Sequence, residues 1–397
     1  MFDPYDYGFQ EDPYPVYARL RDEDPLHHNG HYDFWVLSRH ADVFAALRDD
    51  ATYSSAMGVS LDKSAWGKHA HTVMSFLAMD PPRHQRLRSL VSRAFTPRRV
   101  RELEAHIQAM TEDYYDDVLH DDLDWITQFA GRLPMDVICE LMGVPLSDRD
   151  ELRRLADLTV HREAGVYDVP DAGVAASLEL IAYYQDMLEQ RKHRPGEDLT
   201  SALLAAEIDG DKLDEREIIA FLFLMVVAGN ETTTKLLGNG LFHLSAHPDQ
   251  WAAVWADPEL VPRWIEETLR FDTSSQVLAR HLTRDVALHG TVAPAGSKLL
   301  VAIGSANRDE RVFTRSDEYD IHRDPDEVSK LISFGGGRHF CLGAHLARLE
   351  ARVALRELVR RVAAVEVDRD RAVRVHSTNV RGFASLPLRV APREGRR

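Results

Sequence analysis

The sequence predicts one large, mainly helical domain with minor β-structure, and three observations lead there. Apolar residues recur at spacings of three and four over Val100–Val118, Ile126–Met142, Ala172–Gln190, Glu215–Ala246, Trp264–Phe271 and Gly343–Val362, the period of a helix with one buried face. Alternating, strand-type patterns are few and short. No repeat, low-complexity tract or composition shift divides the chain, and Pro195-Gly196-Glu197 and Asp209-Gly210-Asp211 read as ordinary loops, so residues 1–397 are expected to form a single domain.

In chain order, the first strand signal is Phe34-Trp35-Val36-Leu37. Helical periods follow, and within Glu215–Ala246 the longest apolar run, Ile218–Ala228, is too short to cross a bilayer and reads as a buried core helix. After the helix at Trp264–Phe271, Val286–Val292, the turn Pro294-Ala295-Gly296 and Lys298–Ile303 read together as a hairpin. The last periodic stretch, Gly343–Val362, begins just after a glycine-rich segment.

Composition narrows the function classes. With 397 residues, 44% of them hydrophobic, the chain can bury a large core. Its two cysteines, Cys139 and Cys341, lie far apart, and no signal-peptide pattern opens Met1-Phe2-Asp3-Pro4, so a reducing cytoplasm is expected rather than a disulfide-built secreted fold. Two cysteines also exclude a multi-cysteine zinc site. A net charge of -16 argues against general binding to nucleic acid or to an anionic membrane. One segment breaks the acidic trend: Arg83, Arg86, Arg88, Arg93, Arg98, Arg99 and Arg101 lie between Pro81 and Arg101 with no carboxylate among them.

The most informative segment is Phe334-Gly335-Gly336-Gly337-Arg338-His339-Phe340-Cys341-Leu342-Gly343, followed by Ala344-His345-Leu346-Ala347-Arg348-Leu349-Glu350. Its glycines permit tight, positive-φ backbone and the close approach of a flat ligand. Cys341 sits where the next helix begins, and unpaired N–H groups and the positive dipole end there favour a thiolate. The segment resembles the cysteine-ligand loop of the cytochrome P450 family, which has Phe, flanking glycines, a basic residue, Cys and Gly at these spacings. The resemblance implies the P450 fold: a triangular, mostly helical domain with small sheets, its haem b held between a long central helix and the helix after the cysteine loop. It also implies Cys341 as axial ligand of the haem iron, with Phe334, Gly335 and Gly343 against the cofactor.

Further segments extend the likeness. Ala228-Gly229-Asn230-Glu231-Thr232-Thr233 puts a glycine and an acid inside a helix, where neither is favoured. By resemblance the helix opens locally beside Ala228, Thr232 hydrogen-bonds oxygen at the iron and Glu231 relays protons. Glu267-Thr268-Leu269-Arg270 resembles the family's buried Glu-x-x-Arg pair, a structural lock. Haem brings two carboxylates, and four positions match the family's places for their cationic partners: His84, Arg88, Arg280 and His339. Asp12-Pro13-Tyr14-Pro15, Trp35-Val36-Leu37, Leu133-Pro134, Gly143-Val144-Pro145, Ala306-Asn307-Arg308-Asp309 and Arg381-Gly382-Phe383 occur in the family's order, so the likeness spans nearly the whole chain. Thr273-Ser274-Ser275 departs from it, standing where many relatives carry proline.

The family implies insertion of one oxygen atom of O2 into a hydrophobic small molecule, by hydroxylation or epoxidation, with a steroid, terpenoid, fatty acid or macrolide-like compound as substrate. By resemblance the pocket is lined from Met57–Leu77, Leu158–Val169, Leu224, Val227, Ala228, Gln276, Val277, Leu278 and Val380, and His161 or Gln276 could orient a polar substituent. The arginines of the basic segment, with Arg338 and Arg348, would form a positive face for an acidic ferredoxin or flavodoxin-like electron donor served by an NAD(P)H-dependent reductase. Two alternatives stay open: a peroxide-driven peroxygenase of the same fold, and a non-catalytic recruitment or binding module.

Overall fold

The structure, a computed structural model, describes residues 2–94, 102–119, 122–162 and 166–393. A five-stranded mixed sheet is built from β1 (Leu26–Asn29), β2 (Phe34–Leu37), β3 (Tyr53–Ser54), β4 (Val277–Leu282) and, after the hairpin of β5 (Val286–Leu288) and β6 (Thr291–Ala293), β7 (Lys298–Ala302). Its order is β1-β2-β7-β4-β3, with only the β2–β7 pair parallel. Because side chains alternate across a strand, each strand feeds two cores. Leu299 and Val301 of β7 join Leu37, Val43 and Leu282 on one face; Leu300 and Ala302 join Val36, Val277, Ala279 and Tyr17 on the other.

The expected hairpin is therefore re-paired. Lys298–Ala302 lies between β2 and β4, while Val286–Leu288 pairs with Thr291–Ala293. The reversal falls at His289-Gly290, both at positive φ (53° and 80°), the conformation a two-residue hairpin requires. Pro294-Ala295-Gly296 instead leads out of the hairpin, and the Gly296 N–H bonds to the Leu282 carbonyl.

The helices that build the main core are α1 (Arg83–Ala94), α2 (Glu104–Val118), α3 (Leu133–Met142), α4 (Asp171–His193), α5 (Glu215–Leu244), α6 (Val261–Phe271) and α7 (Ala344–Arg361). Val100 and Arg101 of the expected Val100–Val118 helix lie outside the described residues. The Ile126–Met142 stretch does not form one helix: Ile126–Ala130 is a single π-type turn, and α3 starts anew at Leu133 with Pro134 in its first turn, where a missing N–H costs nothing. Helix α5 opens with a reciprocal capping box between Asp214 and Glu217 and runs 30 residues through the largest core, against α3, α4, α6 and α7. By length and composition it is apolar enough to cross a membrane, although its apolar run alone looked too short. The packing explains the composition: Phe221, Leu222, Val226, Leu237 and Leu241 are buried against neighbouring helices, each contributing about 2–3 kcal/mol relative to exposure.

Candidate active site

Helix α5 presents one face to the cavity. Phe221, Leu224, Met225, Ala228, Gly229, Thr232, Thr233 and Leu236 line it, at the three-and-one spacing of a single helical face. The cavity measures about 1450 Å³ including its open mouth, and Cys341, His339, Phe334 and Gly335 form its opposite wall.

The cysteine loop is shaped by two glycines. Gly335 and Gly337 hold positive φ (71° and 60°), and a Cβ on Gly337 would stand 2.7 Å from the Leu47 carbonyl. A short 3-10 turn at Gly337–His339 then lets the Cys341 N–H bond to the Phe334 carbonyl at 2.9 Å and brings the sulfur just before α7. The sulfur is open to the cavity, but surrounding protein replaces most bulk water, and that burial pushes the thiol up. The N–H groups of Gly343 and Ala344 and the guanidiniums of Arg88 and Arg348 pull the other way. The N–H groups at the helix start thus favour the thiolate as expected, while burial in the free chain works against them.

Arg280, Arg88 and His339 line the cavity, with His84 against His339, and none of the four forms an ion pair among the described residues. Arg280, fully buried, donates only to the adjacent Ala279 carbonyl at 2.8 Å, and burial pulls its pKa down to about 10 against the opposing charge of Asp80. Half-buried Arg88 donates to the Phe340 carbonyl at 2.6 Å. The rings of His84 and His339 lie with centroids 4.2 Å apart, tilted by 50°, and none of their four nitrogens has a hydrogen-bond partner among the described residues. Burial first, and neighbouring arginines second, lower their pKa values to about 4 and about 2. The Met79 carbonyl slightly favours the charged His339 ring without the alignment of a hydrogen bond, so we take the ring as unpaired. Orphaned buried polar groups of one sign call for a ligand of the other sign. A flat cofactor carrying two carboxylates fits this donor set, and the Cys341 sulfur on the same cavity fits its iron.

The acid–alcohol pair departs from the expected opened helix. Helix α5 is continuous through Ala228–Thr233, and the Thr232 hydroxyl donates back to the Ala228 carbonyl at 2.9 Å. Gly229 marks a close approach instead, since a Cβ there would collide with the Ile138 side chain of α3. Glu231 does not face water: its carboxylate meets Lys235, one turn on, at 3.0 Å, and the ammonium also donates to the Phe383 carbonyl.

Glu267 and Arg270 of α6 form a two-pronged ion pair at 2.7 and 2.9 Å, fully buried. Arg270 also donates to the carbonyls of Asn307, Ser316 and Glu318, and Glu267 accepts from Arg323 and the Asp320 N–H. The pair thereby ties α6 to the irregular segment that leads to the cysteine loop.

The lining corrects the expected pocket. Leu224, Ala228 and Leu278 line the cavity; Val227, Gln276, Val277 and Val380 do not. Val227 lies about 100° around α5 from Ala228. Val277 points through the sheet into the core around Tyr17, and Gln276 folds back so that its amide donates to the Thr273 carbonyl. Val380 meets Ser275 only through a backbone bridge. From Met57–Leu77 only Phe76 and Leu77 contribute, and no described residue of Leu158–Val169 does; His161 is exposed and residues 163–165 lie outside the described set. The reading missed Phe221, Met225, Thr233 and Leu236, which the helical period counted from Ala228 would have found. It also missed Ile138, Thr273, Ser274, Ser275, Ile303 and Glu350, which only the tertiary fold brings in. Buried Glu350 has its pKa pushed well above the ordinary range by burial.

Part of the expected basic face is neutralised. Arg86 pairs with Asp211 and Glu217, Arg338 with Asp50, and Arg348 with Glu266, while Arg93 donates to the Glu207 carbonyl. Arg98, Arg99 and Arg101 lie outside the described residues.

Comparison with known proteins agrees with this geometry. A family profile described as cytochrome P450 matches residues 175–389. The putative cytochrome P450 123 of Mycobacterium tuberculosis is 56% identical over 395 residues, covering 99% of this chain and 98% of that one. The vitamin D(3) 25-hydroxylase of Pseudonocardia autotrophica is 38% identical over 393 residues, covering 97% and 95%. Among solved structures, cytochrome P450 CYP109Q5 from Chondromyces apiculatus superposes with a TM-score of 0.89 at 35% identity, covering 99% of each chain. With a cysteine sulfur and a set of unpaired basic groups on one cavity, and relatives matching end to end, this chain belongs to the cytochrome P450 family, enzymes of the monooxygenase class that bind haem.

Proposed function

We propose that the chain acts as one domain, residues 1–397, and inserts one oxygen atom of O2 into a hydrophobic small molecule by hydroxylation or epoxidation. The observation that carries this reading is the set Arg280, Arg88 and His339 lining the same cavity as Cys341, with His84 against His339, none of them paired with a carboxylate among the described residues. Arg280 and the two imidazoles would hold the haem carboxylates, Cys341 its iron, and Phe334, Gly335, Gly343 and Ala228 its faces. When bound, haem supplies the dioxygen chemistry. The chain's part is to bind, orient and move protons. Leu224, Phe221 and Leu278 exclude water around the substrate. Thr232, on release from the Ala228 carbonyl, has a hydroxyl free to donate beside the cofactor, and Glu231, on release from Lys235, is one residue away as its proton source.

Related proteins support an apolar substrate. CYP109E1 from Bacillus megaterium was solved with corticosterone and with testosterone, and another relative hydroxylates vitamin D(3) by its name. An acidic ferredoxin or flavodoxin-like donor, with its NAD(P)H-dependent reductase, would dock around exposed Phe340 and Arg338 beside Cys341, and the enzyme would work in the cytoplasm.

The test is the absorption spectrum of reduced, carbon monoxide-treated protein, alongside Cys341→Ser. A strongly red-shifted Soret band in the wild type and its loss in the variant are expected; a band typical of histidine ligation overturns the reading. Steady turnover with peroxide alone and no electron donor would favour the peroxygenase alternative.

A further inference from the structure

The chain breaks its family pattern at Thr273-Ser274-Ser275, and all three residues line the cavity. Ser274 is occupied, donating to the Thr232 carbonyl at 2.8 Å. The hydroxyls of Thr273 and Ser275 have no hydrogen-bond partner among the described residues, although Thr273 is only 1% exposed. Their segment is fixed rather than loose: the Ser274 carbonyl accepts from the Arg381 N–H, Ser275 bridges Val380, and the next N–H, of Gln276, bonds to Asn379. Two unpaired hydroxyls, one on buried Thr273 and one on half-buried Ser275, are thus held at the wall of a mainly apolar chamber.

A hydroxyl in such a place is satisfied by water until a ligand displaces it. A pure hydrocarbon strips that water and returns nothing, which costs about tenfold in affinity for each hydroxyl left dry. A ligand oxygen at the same place restores the bonds, because each hydroxyl both donates and accepts. The charge of that oxygen is also set. The cavity-lining cations are Arg88 and Arg280, both at the anion-deficient cluster, and burial disfavours a charge on the lining carboxyl of Glu350. Among the described residues no further arginine or lysine lines the cavity to receive a carboxylate substrate.

We infer that Thr273 and Ser275 form an oxygen-recognition patch, and that the substrate is an apolar body carrying a neutral hydroxyl or ketone that docks there. This rests on reading the cavity as the chamber shared by cofactor and substrate. It sets aside unfunctionalised terpene hydrocarbons and fatty-acid anions.

The experiment uses haem-loaded protein and equilibrium dialysis with cyclododecane, cyclododecanol and cyclododecanecarboxylate, each dissociation constant corrected for that compound's water-to-hexadecane transfer. On that scale the wild type should favour the alcohol over the hydrocarbon by about tenfold or more. The shape-matched double variant Thr273→Val, Ser275→Ala should bring the two within about twofold. Equal corrected affinities in the wild type overturn the inference with no variant needed. A carboxylate that binds as tightly as the alcohol overturns the claim that the oxygen is neutral. The carbon monoxide spectrum of the same sample separates the two readings: loss of the red-shifted band sinks the haem-thiolate assignment, whereas an intact band with equal affinities sinks only the patch.

Discussion

Two buried clusters of basic side chains differ in one respect. Around Asp272 the chain supplies its own anion: the carboxylate accepts from Arg381 and the Tyr14 hydroxyl at 2.7 Å, lies 2.7 Å from the His243 ring and 3.4 Å from Arg374, and is held well below its ordinary range by the two guanidiniums and the His243 ring despite full burial. Around Arg280 no described carboxylate forms an ion pair, and Asp80 acts only from a distance. The first cluster joins the N-terminal helix, α5, α6 and the C-terminal turn into one framework. The second is complete only with a ligand. Burial of charge is costly in both, so the missing partner is a signature of binding rather than of a poorly built core.

The sharpest break of the comparison is Asp272→Asn. It leaves Arg381 and Arg374 buried without a counter-charge and should cost about 3–5 kcal/mol in denaturant unfolding of both cofactor-free and haem-loaded protein. Removing a cation from the Arg280 cluster should not destabilise the cofactor-free chain in this way.

Acidification comes next. His84 faces Arg88, Arg338, Asp50, Asp80 and the His339 ring, and its pKa lies at about 4 in the folded chain against 6.5 for the unperturbed group. A lowered histidine pKa means that the unfolded chain binds the proton first. Stability of the cofactor-free protein therefore falls as pH drops from about 6.5 towards 4, by about 3 kcal/mol in total from this residue. His84→Phe should flatten that slope, and haem carboxylates beside the ring should flatten it in the loaded wild type. An unchanged slope in both would remove His84 from the cluster.

Third is Arg280→Leu. Cofactor-free protein should be as stable as wild type or slightly more so, while transfer of haem to a scavenging globin should accelerate about ten- to a hundredfold, the worth of one charge-assisted hydrogen bond. The smallest effect is at the surface. Arg338→Glu breaks a half-exposed pair with Asp50 and should change stability by less than about 1 kcal/mol. It should nevertheless slow first-electron transfer from an acidic donor and reduce its salt dependence, measured by stopped-flow reduction.

Much of this site was legible one-dimensionally because its parts are local. The loop from Phe334 to Gly343 carries its own glycines, cysteine and helix start within ten consecutive positions. Glu267 and Arg270 are three apart on one helix, so their pairing follows from helical geometry. The pocket was read less well. Val277 and Leu278 are adjacent in sequence, yet only the direction of the sheet decides which one meets the cavity. Part of the basic segment is neutralised through space: Arg86 and Arg348 find carboxylates at Asp211, Glu217 and Glu266, far away along the chain.

The sequence by itself determined the helical class, the cysteine loop and the helix that carries Glu231 and Thr232, because periodicity, glycine placement and short-range pairs act over a few residues. Tertiary structure alone decided that β7 pairs between β2 and β4, that Thr232 bonds back to its own helix, and that Arg280 lacks the anion that Arg381 has. Hydrogen-bond partners and counter-charges are chosen by distance through space, and a buried group with none is visible only once everything near it is in place.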